Sequence, residues 1–352
     1  MLQFIKAFKY LTPFALYLFA SVAFHETGLA CWYPILYVFF VIPLLELFIK
    51  ADNDNMNSIE ESIAKKNRLY DIILYASVGF QYFSLWQFLH SIQQENSSLW
   101  DIAGRVASMG LLCGTFGINV AHELGHRVNK FEQFLAKTLL LTSLYMHFFI
   151  EHNKGHHKHV ATPHDPSTAK YDQSIYAFWP QTLIGTYRSA WKITNEELDQ
   201  KNVRWFSFQN EMLMFQLVQL ILVASIYIIF GGLVVICFLI AALMGGLLLE
   251  TVNYIEHYGL TRNSTNEDQY ERVQPYHSWN SNHIIGRLML FELSRHSDHH
   301  FLASRKYQIL RHFDNAPQMP TGYPGMILLS LFPPLWFKTM HRQMKKYGIK
   351  KS

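Results

Sequence analysis

The chain has 352 residues, half of them hydrophobic, 15% aromatic and only 16% charged, where an ordinary soluble domain carries about a quarter charged residues. Several apolar runs reach the ~20 residues that cross a bilayer, which excludes a small secreted scaffold or a disordered chain, and a net charge of +4 gives no sign of a nucleic-acid binder. Cys31, Cys113 and Cys237 stand alone in apolar stretches, so no CxxC pair exists to build a zinc ribbon, an iron–sulfur cluster or a rubredoxin within the chain.

Read in chain order, six segments are expected to span a membrane: about 8–24, 28–49, 70–92, 102–121, 212–230 and 232–252. The first is not expected to be a cleavable signal peptide, because Lys6 and Lys9 precede an apolar run that ends at His25 and Glu26 without a small-residue cleavage pattern. The links around His25–Gly28, Gln93–Trp100 and Gly231–Gly232 contain no Lys or Arg. Lys6, Lys9, Lys50, Lys65, Lys66, Arg68 and nearly every basic residue after Ala121 fall on the other side, so the positive-inside rule predicts both termini in the cytoplasm. Residues 133–150 (QFLAKTLLLTSLYMHFFI) are apolar enough for a seventh crossing, but that would put HELGH (122–126) and HNKGHH (152–157) on opposite faces. The segment is therefore expected to be re-entrant, interfacial or packed against the bundle. Residues 122–211 and 253–352 are expected to form a cytoplasmic cap, the second part built of short helices and broken up near its end by Pro317, Pro320, Pro324, Pro333 and Pro334. The expected fold is all-α: one domain, a six-helix transmembrane bundle with a cytoplasmic helical cap, without internal repeats.

The count that stands out is 18 histidines. His122 and His126 are four apart and share a face of a helix leaving the fourth span. His152 and His156 repeat that spacing, with His157 beside them, and His296, His299 and His300 fall within roughly 100° of a helical wheel. His257 lies in NYIEHYGL at the cytoplasmic end of the sixth span. Neutral imidazole is a ligand for Fe, Zn, Cu or Ni; nine are too many for one ion and suit two ions with four or five each. A lone histidine is more often a surface or satisfied core residue, as expected for His25, His90, His312 and His341; a place near the site stays open for His147, His159, His164, His277 and His283. HELGH also spells the HExxH of a zinc protease, but that reading needs three ligands and leaves the other six histidines without a role. Glu123 is instead expected to orient a ligand imidazole, a role also open to Glu151, Glu256, Asp165 and Asp298.

HELGH, EHNKGHH and SRHSDHH follow the three-box pattern of membrane di-iron hydroxylases and desaturases, and NYIEHYGL with HSWNSNH narrows the match. Over about residues 10–315 the chain resembles the alkane 1-monooxygenases, the integral-membrane alkane hydroxylases. The resemblance implies six transmembrane helices in a bacterial inner membrane and a non-heme site of two Fe ions. Carried over by motif, the ligands are His122, His126, His152, His156, His157, His257, His296, His299 and His300. It further implies O2 as co-substrate, electrons from rubredoxin with rubredoxin reductase upstream, and 1-alkanols as products. One stretch departs from the family: ATPHDP has His164 where an acidic residue usually precedes Asp-Pro, which leaves the environment of Asp165 open.

The chemistry agrees with the resemblance. A terminal alkane C–H bond has no polar handle, so its attack needs a strong metal–oxygen oxidant; zinc has no redox chemistry, whereas iron does. A lipid-dissolved substrate can enter a helix bundle sideways, and among the aromatics of the spans Trp32, Phe39 and Phe40 are expected to bound its channel. A membrane fatty-acyl desaturase or hydroxylase of the same superfamily is the main alternative. A non-enzymatic metal carrier would spread histidines along several spans, whereas here they gather at one end. With no CxxC and no Gly-rich dinucleotide fingerprint, and with no flavin, heme or NAD expected on the chain, the reductant must dock on the cytoplasmic side. Lys201, Arg204, Arg305, Lys306, Arg311 and the tail from Lys345 to Lys351 supply charge there. The positive-inside bias accounts for most of it, and Arg305, Lys306 and Arg311 are expected to form a docking patch for an acidic rubredoxin.

Overall fold

The computed structural model describes residues 6–95, 97–266 and 269–349. In chain order the helices used below are α1 (Lys6–His25), α2 (Gly28–Glu46), α3 (Leu69–Ile92), α4 (99–125) and α5 (Lys130–Leu141). They continue with α6 (Ile175–Gln200), α7 (Glu211–Phe230), α8 (Gly232–His257), α9 (Tyr323–Ser330) and α10 (Pro333–Lys346). Among the described residues the only strands form one short hairpin, Ser264–Asn266 with Gln269–Tyr270.

Among the described residues, five helices (α1, α2, α3, α7 and α8) are long and apolar enough to cross a membrane. The stretch expected as another span, 102–121, lies in α4, which is the buried axis of the bundle: from Gly104 to Gly125 every residue but Ala107 is buried. Ser98 starts α4 through a capping box, its hydroxyl accepting from Asp101 N while the Asp101 carboxylate accepts from Ser98 N. Small residues set the approach of α4 to α8. A Cβ added at Gly245 would lie 2.5 Å from the Cys113 Cβ, and one at Gly110 would lie 2.8 Å from Met244, the close packing that membrane helices build from glycine. At the far end of the bundle the buried Arg105 guanidinium donates to Ser91 O, Glu26 O and Gln94 Oε1, joining two of the inter-span links.

Residues 133–150 do not form one long helix. α5 has 12 residues, about 18 Å at 1.5 Å per residue, short of a hydrocarbon core of about 30 Å. It ends in a turn with Leu144 at φ 49°, and the chain returns through Phe148–Glu151. Polar groups inside the bundle hold the turn: Gln81 Nε2 donates to Thr142 Oγ1, and Ser143 Oγ donates to Cys113 O. The dip and return bring HNKGHH back beside HELGH.

The cap contains one long helix that sequence patterning did not reveal. The buried face of α6 is Phe178, Thr182, Thr186, Ala190, Thr194 and Leu198, spaced every fourth residue. Three of the six are threonines, which hides the stripe from any hydropathy reading. Their hydroxyls are satisfied locally, Thr186 and Thr194 on the carbonyls four residues back and Thr182 on Glu250 Oε2. Tyr145 OH donates to the other Glu250 oxygen, so one carboxylate of α8 joins the dipping turn to the cap. The late prolines start helices rather than merely interrupting them: Pro324 lies in the first turn of α9 and Pro333 and Pro334 in that of α10.

Candidate metal centre

The nine box histidines separate into two groups. His122, His126, His152, His157 and His299 form one; His156, His257, His296 and His300 form the other; within each, the ligand atoms lie within 4.8 Å of one another. In the five-histidine group the Nε2 atoms converge: His122 to His299 is 2.9 Å, His126 to His152 is 3.1 Å, and His157 lies 3.0 Å from both His152 and His299. In the other, His257 and His296 bring their Nε2 atoms to 3.1 Å.

Local backbone explains this sorting. HELGH leaves α4 as an α-helix, so His122 and His126 share a face. HNKGHH does not: residues His152–His156 form a π turn, in which hydrogen bonds run i→i+5. His152 therefore aligns with His157, and His156 turns into the second group instead of sharing the face of His152, as its four-residue spacing led one to expect. In the helix His296–Phe301 the i, i+4 pair His296 and His300 enters the second group and His299 the first.

The residues present fit metal ions. Burial, with the Arg127 guanidinium adding to it, pushes His126 down to about 3, and burial followed by the neighbouring imidazoles holds His152 and His299 well below the ordinary histidine value. These rings are neutral at physiological pH. Converging neutral Nε2 atoms can share only one proton per pair, so mutual hydrogen bonds leave lone pairs aimed at a common point. In the second group His156 Nε2 and both ring nitrogens of His300 are buried without a hydrogen-bond partner, an arrangement that is costly unless a cation fills it. All-imidazole donor sets suit first-row transition metals, iron among them.

Residues 100–343 match the model of the family described as fatty acid desaturase. Alkane 1-monooxygenase 2 of Pseudomonas aeruginosa is 38% identical over 324 residues, covering 90% of this chain and 84% of that one. Alkane 1-monooxygenase 2 of Alcanivorax borkumensis is 35% identical over 317 residues, covering 90% and 83%. The chain belongs to the alkane 1-monooxygenases, within the fatty acid desaturase family. A more distant relative is the xylene/toluene monooxygenase hydroxylase component of Pseudomonas putida, 32% identical over 246 residues, 69% of this chain and 64% of that one. Membership makes this chain an enzyme and, with its apolar helices, an integral membrane protein.

Around the histidines of this alkane 1-monooxygenase, the carboxylates divide. Asp165 Oδ2 lies 3.0 Å from His156 Nδ1 and also accepts from Thr168 Oγ1. Burial opposes the charge on His156 but the Asp165 carboxylate outweighs it and raises the imidazole, while Asp165 itself is held below its usual range. The departure at His164 leaves these contacts intact, since His164 is at the surface and Asp165 is buried. Glu256 stands in front of an imidazole rather than behind it: its Oε2 is 3.1 Å from His296 Nε2, and Tyr323 OH donates to its Oε1. Glu123 and Asp298 touch no imidazole. Glu123 is one residue, about 100°, round the helix from His122 and instead accepts from Arg127 Nη2 and Tyr307 N. Asp298 is ion-paired with Arg305 at 3.1 Å and accepts from Arg311 N. His147, His159, His164, His277 and His283 join neither group.

The expected docking patch is occupied from within. Arg305 bridges Glu61 and Asp298, Lys306 pairs with Asp71 at 2.8 Å, and Arg311 pairs with Glu61. These cations tie the cap to the helix Ser58–Lys66 and to α3, long-range contacts that no local sequence signal announces. Lys350 and Lys351 of the basic tail lie outside the described residues. Of the three aromatics expected along a channel, Phe39 lines an apolar space between α2, α4, α8 and α9 that also meets Leu111, Leu248, Val252 and Ile327; Trp32 and Phe40 do not reach it. Trp32 packs on Trp100 at the far end of the bundle, ring centroids 4.7 Å apart, and Phe40 is 64% exposed, turned outward. The cavity reaches the histidine level through Asn119, one turn before His122, and through Tyr323 on Glu256.

Proposed function

We propose that this chain hydroxylates the terminal carbon of medium- to long-chain n-alkanes, RH + O2 + 2 e− + 2 H+ → ROH + H2O. The observation that carries the reading is the division of nine histidines into two converging groups, with an apolar cavity nearby whose wall residue Tyr323 holds Glu256 beside His296; the names of the relatives support it. Two irons, one held by each group, would supply the O2-dependent oxidation of an unactivated C–H bond, chemistry that zinc lacks.

The chain's own residues do the positioning. Asp165 accepts the His156 Nδ1 proton, which fixes the tautomer and leaves Nε2 as a donor to metal. Tyr323 holds the Glu256 carboxylate beside His296. The walls around Phe39 grip a substrate without polar groups and keep water from the reacting carbon.

Rubredoxin is the proposed electron donor, and the cytoplasmic face of a bacterial inner membrane the proposed location of the site and both termini. A cleft between residues 154–171 and α6 supports docking better than Arg305, Lys306 and Arg311 do. Lys158, Lys170 and Arg188 on its rim make no ion pair among the described residues, and its floor includes Gly155 and Asp165, beside His156. Metal analysis of the purified protein, with products identified from octane, hexadecane, xylene and acyl lipid, tests the function. Two irons per chain and 1-alkanol from an alkane are expected. Desaturated acyl chains without alkanol would favour the desaturase reading, and oxidised xylene alone would favour the activity named for the more distant relative.

A further inference from the structure

No Asp or Glu occurs after Asp314, whereas Lys338, Arg342, Lys345 and Lys346 all follow it. Within that acid-free stretch α9 and α10 form a helical hairpin whose depth can be read from its contacts. Tyr323, at the start of α9, bonds Glu256, near the end of α8. Four residues on, Ile327 lines the same cavity as Phe39, Leu248 and Val252. The chain then turns at 331–334, where Tyr176 OH donates to Leu331 O, and near the start of the same α6 Trp179 Nε1 donates to Thr251 Oγ1. Trp336 brings α10 back against Tyr254 and Tyr258, ring centroids 5.1 and 5.3 Å away. The tip therefore lies level with Thr251, six residues before His257, or about 9 Å toward the membrane at 1.5 Å per residue.

The tip is apolar and uncovered: Phe332 is 60% and Leu335 56% exposed. Beyond it α10 has two opposed faces. Trp336, Met340 and Met344 are buried, while Lys338, Arg342, Lys345 and Lys346 are exposed and follow at i, i+4, i+7 and i+8, some 200° away round the helix. None of these four cations makes an ion pair among the described residues. An apolar tip at interface depth, followed by cations spaced over the next turns, is the pattern of a segment that seats its apolar end at the acyl boundary and its charges among headgroups.

We propose that the α9–α10 hairpin is an interfacial anchor that binds anionic phospholipid, with Phe332 and Leu335 at the acyl boundary and Lys338 and Arg342 on the phosphates. Because the first half of α9 walls the cavity, bound lipid holds the side of the cavity that faces the bilayer. Zwitterionic headgroups lack the net charge to match the stripe, so the preference is for anionic lipid.

The test uses the full chain in nanodiscs with a fluorescent label on Leu335→Cys; the three native thiols are buried, so the label reports the introduced site. The label should be quenched by spin-labelled phospholipid and shielded from an aqueous quencher. Quenching by spin-labelled phosphatidylglycerol should exceed that by phosphatidylcholine, and that preference should fall about fivefold for each cation removed and further still where the charge is reversed, as in Lys338→Glu/Arg342→Glu. Lys338→Gln/Arg342→Gln, which removes the charges without reversing them, should lose the preference too. A label open to the aqueous quencher, or a lipid preference unchanged in both charge variants, would overturn the proposal. So would a charge variant that weakens docking of an acidic protein donor while leaving lipid preference intact, since the stripe would then be a protein surface. The readout needs no turnover, so it stands or falls separately from the proposed reaction.

Discussion

His152 and His157 are five residues apart in sequence, yet their Nε2 atoms lie 3.0 Å from each other, while His156, adjacent to His157, belongs to a different group. The π turn His152–His156 makes this possible, because a wider turn moves the alignment from the fourth to the fifth residue. Metal content should follow that geometry. His152→Ala and His157→Ala should each remove about one iron, and the double variant no more than one, since both act on the same ion. His156→Ala combined with His157→Ala should lose both irons. Iron quantification with Mössbauer spectra of each variant checks the partition, and equal losses in the two double variants would contradict it. His299→Ala should lower iron content and abolish activity.

Chain-length selection should depend on Phe39 and not on its neighbours. Phe39→Ala opens the cavity toward α8 and α9, so longer alkanes should be accepted at the expense of shorter ones. Phe40→Ala and Trp32→Ala, which touch other surroundings, should leave the product profile as it was. Competition between octane and hexadecane, read by gas chromatography, measures this.

Breaking the Arg305 pairs should destabilise the protein before it affects docking. Arg305→Glu sets three carboxylates together, with Asp298 buried and Glu61 close by, and loss of one partner from a buried pair costs roughly 3 kcal/mol or more. A lower melting temperature and lower iron content are expected. Reversal of Lys158, Lys170 and Arg188, which lie on an open rim, should instead raise the KM for rubredoxin in a salt-dependent manner and spare dithionite-driven chemistry.

The His156–Asp165 pair should give metal-free protein a defined pH response. His156 is raised by Asp165, so its contribution is full below the unfolded histidine value near 6.5 and fades as pH rises through the higher folded value. Asp165 is depressed, so its contribution is present above the ordinary Asp range and lost as pH falls through the lower folded value. Asp165→Asn should therefore lower the melting temperature of chelated protein most around pH 5–6 and less at alkaline pH. A difference independent of pH would show that the pair is not charged.

Topology can be tested at three exposed positions around the dipping segment. Single cysteines at Asn129, Lys158 and Thr265 should react with an impermeant reagent from the same side, because α5 has 12 residues and the chain turns back after it. Reaction of Asn129→Cys and Lys158→Cys from opposite sides would separate HELGH from HNKGHH and dissolve the shared centre.

Five of the six expected spans and the gathering of the nine box histidines were legible in the amino-acid sequence because both are local properties: hydropathy sums over ~20 neighbours, and metal-binding side chains recur at helical spacings. The same locality let the dipping segment be inferred, since two clusters that share a site must lie on one side. What was not local was not legible. The sorting of His156 away from His157 depends on a π turn that no residue type signals. Phe39 rather than Phe40 meets the cavity because packing sets the phase of α2. Asp298 read as a partner for an imidazole, and Arg305, Lys306 and Arg311 as a free patch, until folding paired Asp298 with Arg305 and brought Glu61 and Asp71 within reach; only the Glu123–Arg127 pair, at i, i+4, is local. Composition fixes which charges a chain owns, whereas the partner each finds is decided by contacts between residues as far apart as Lys9 and Glu292.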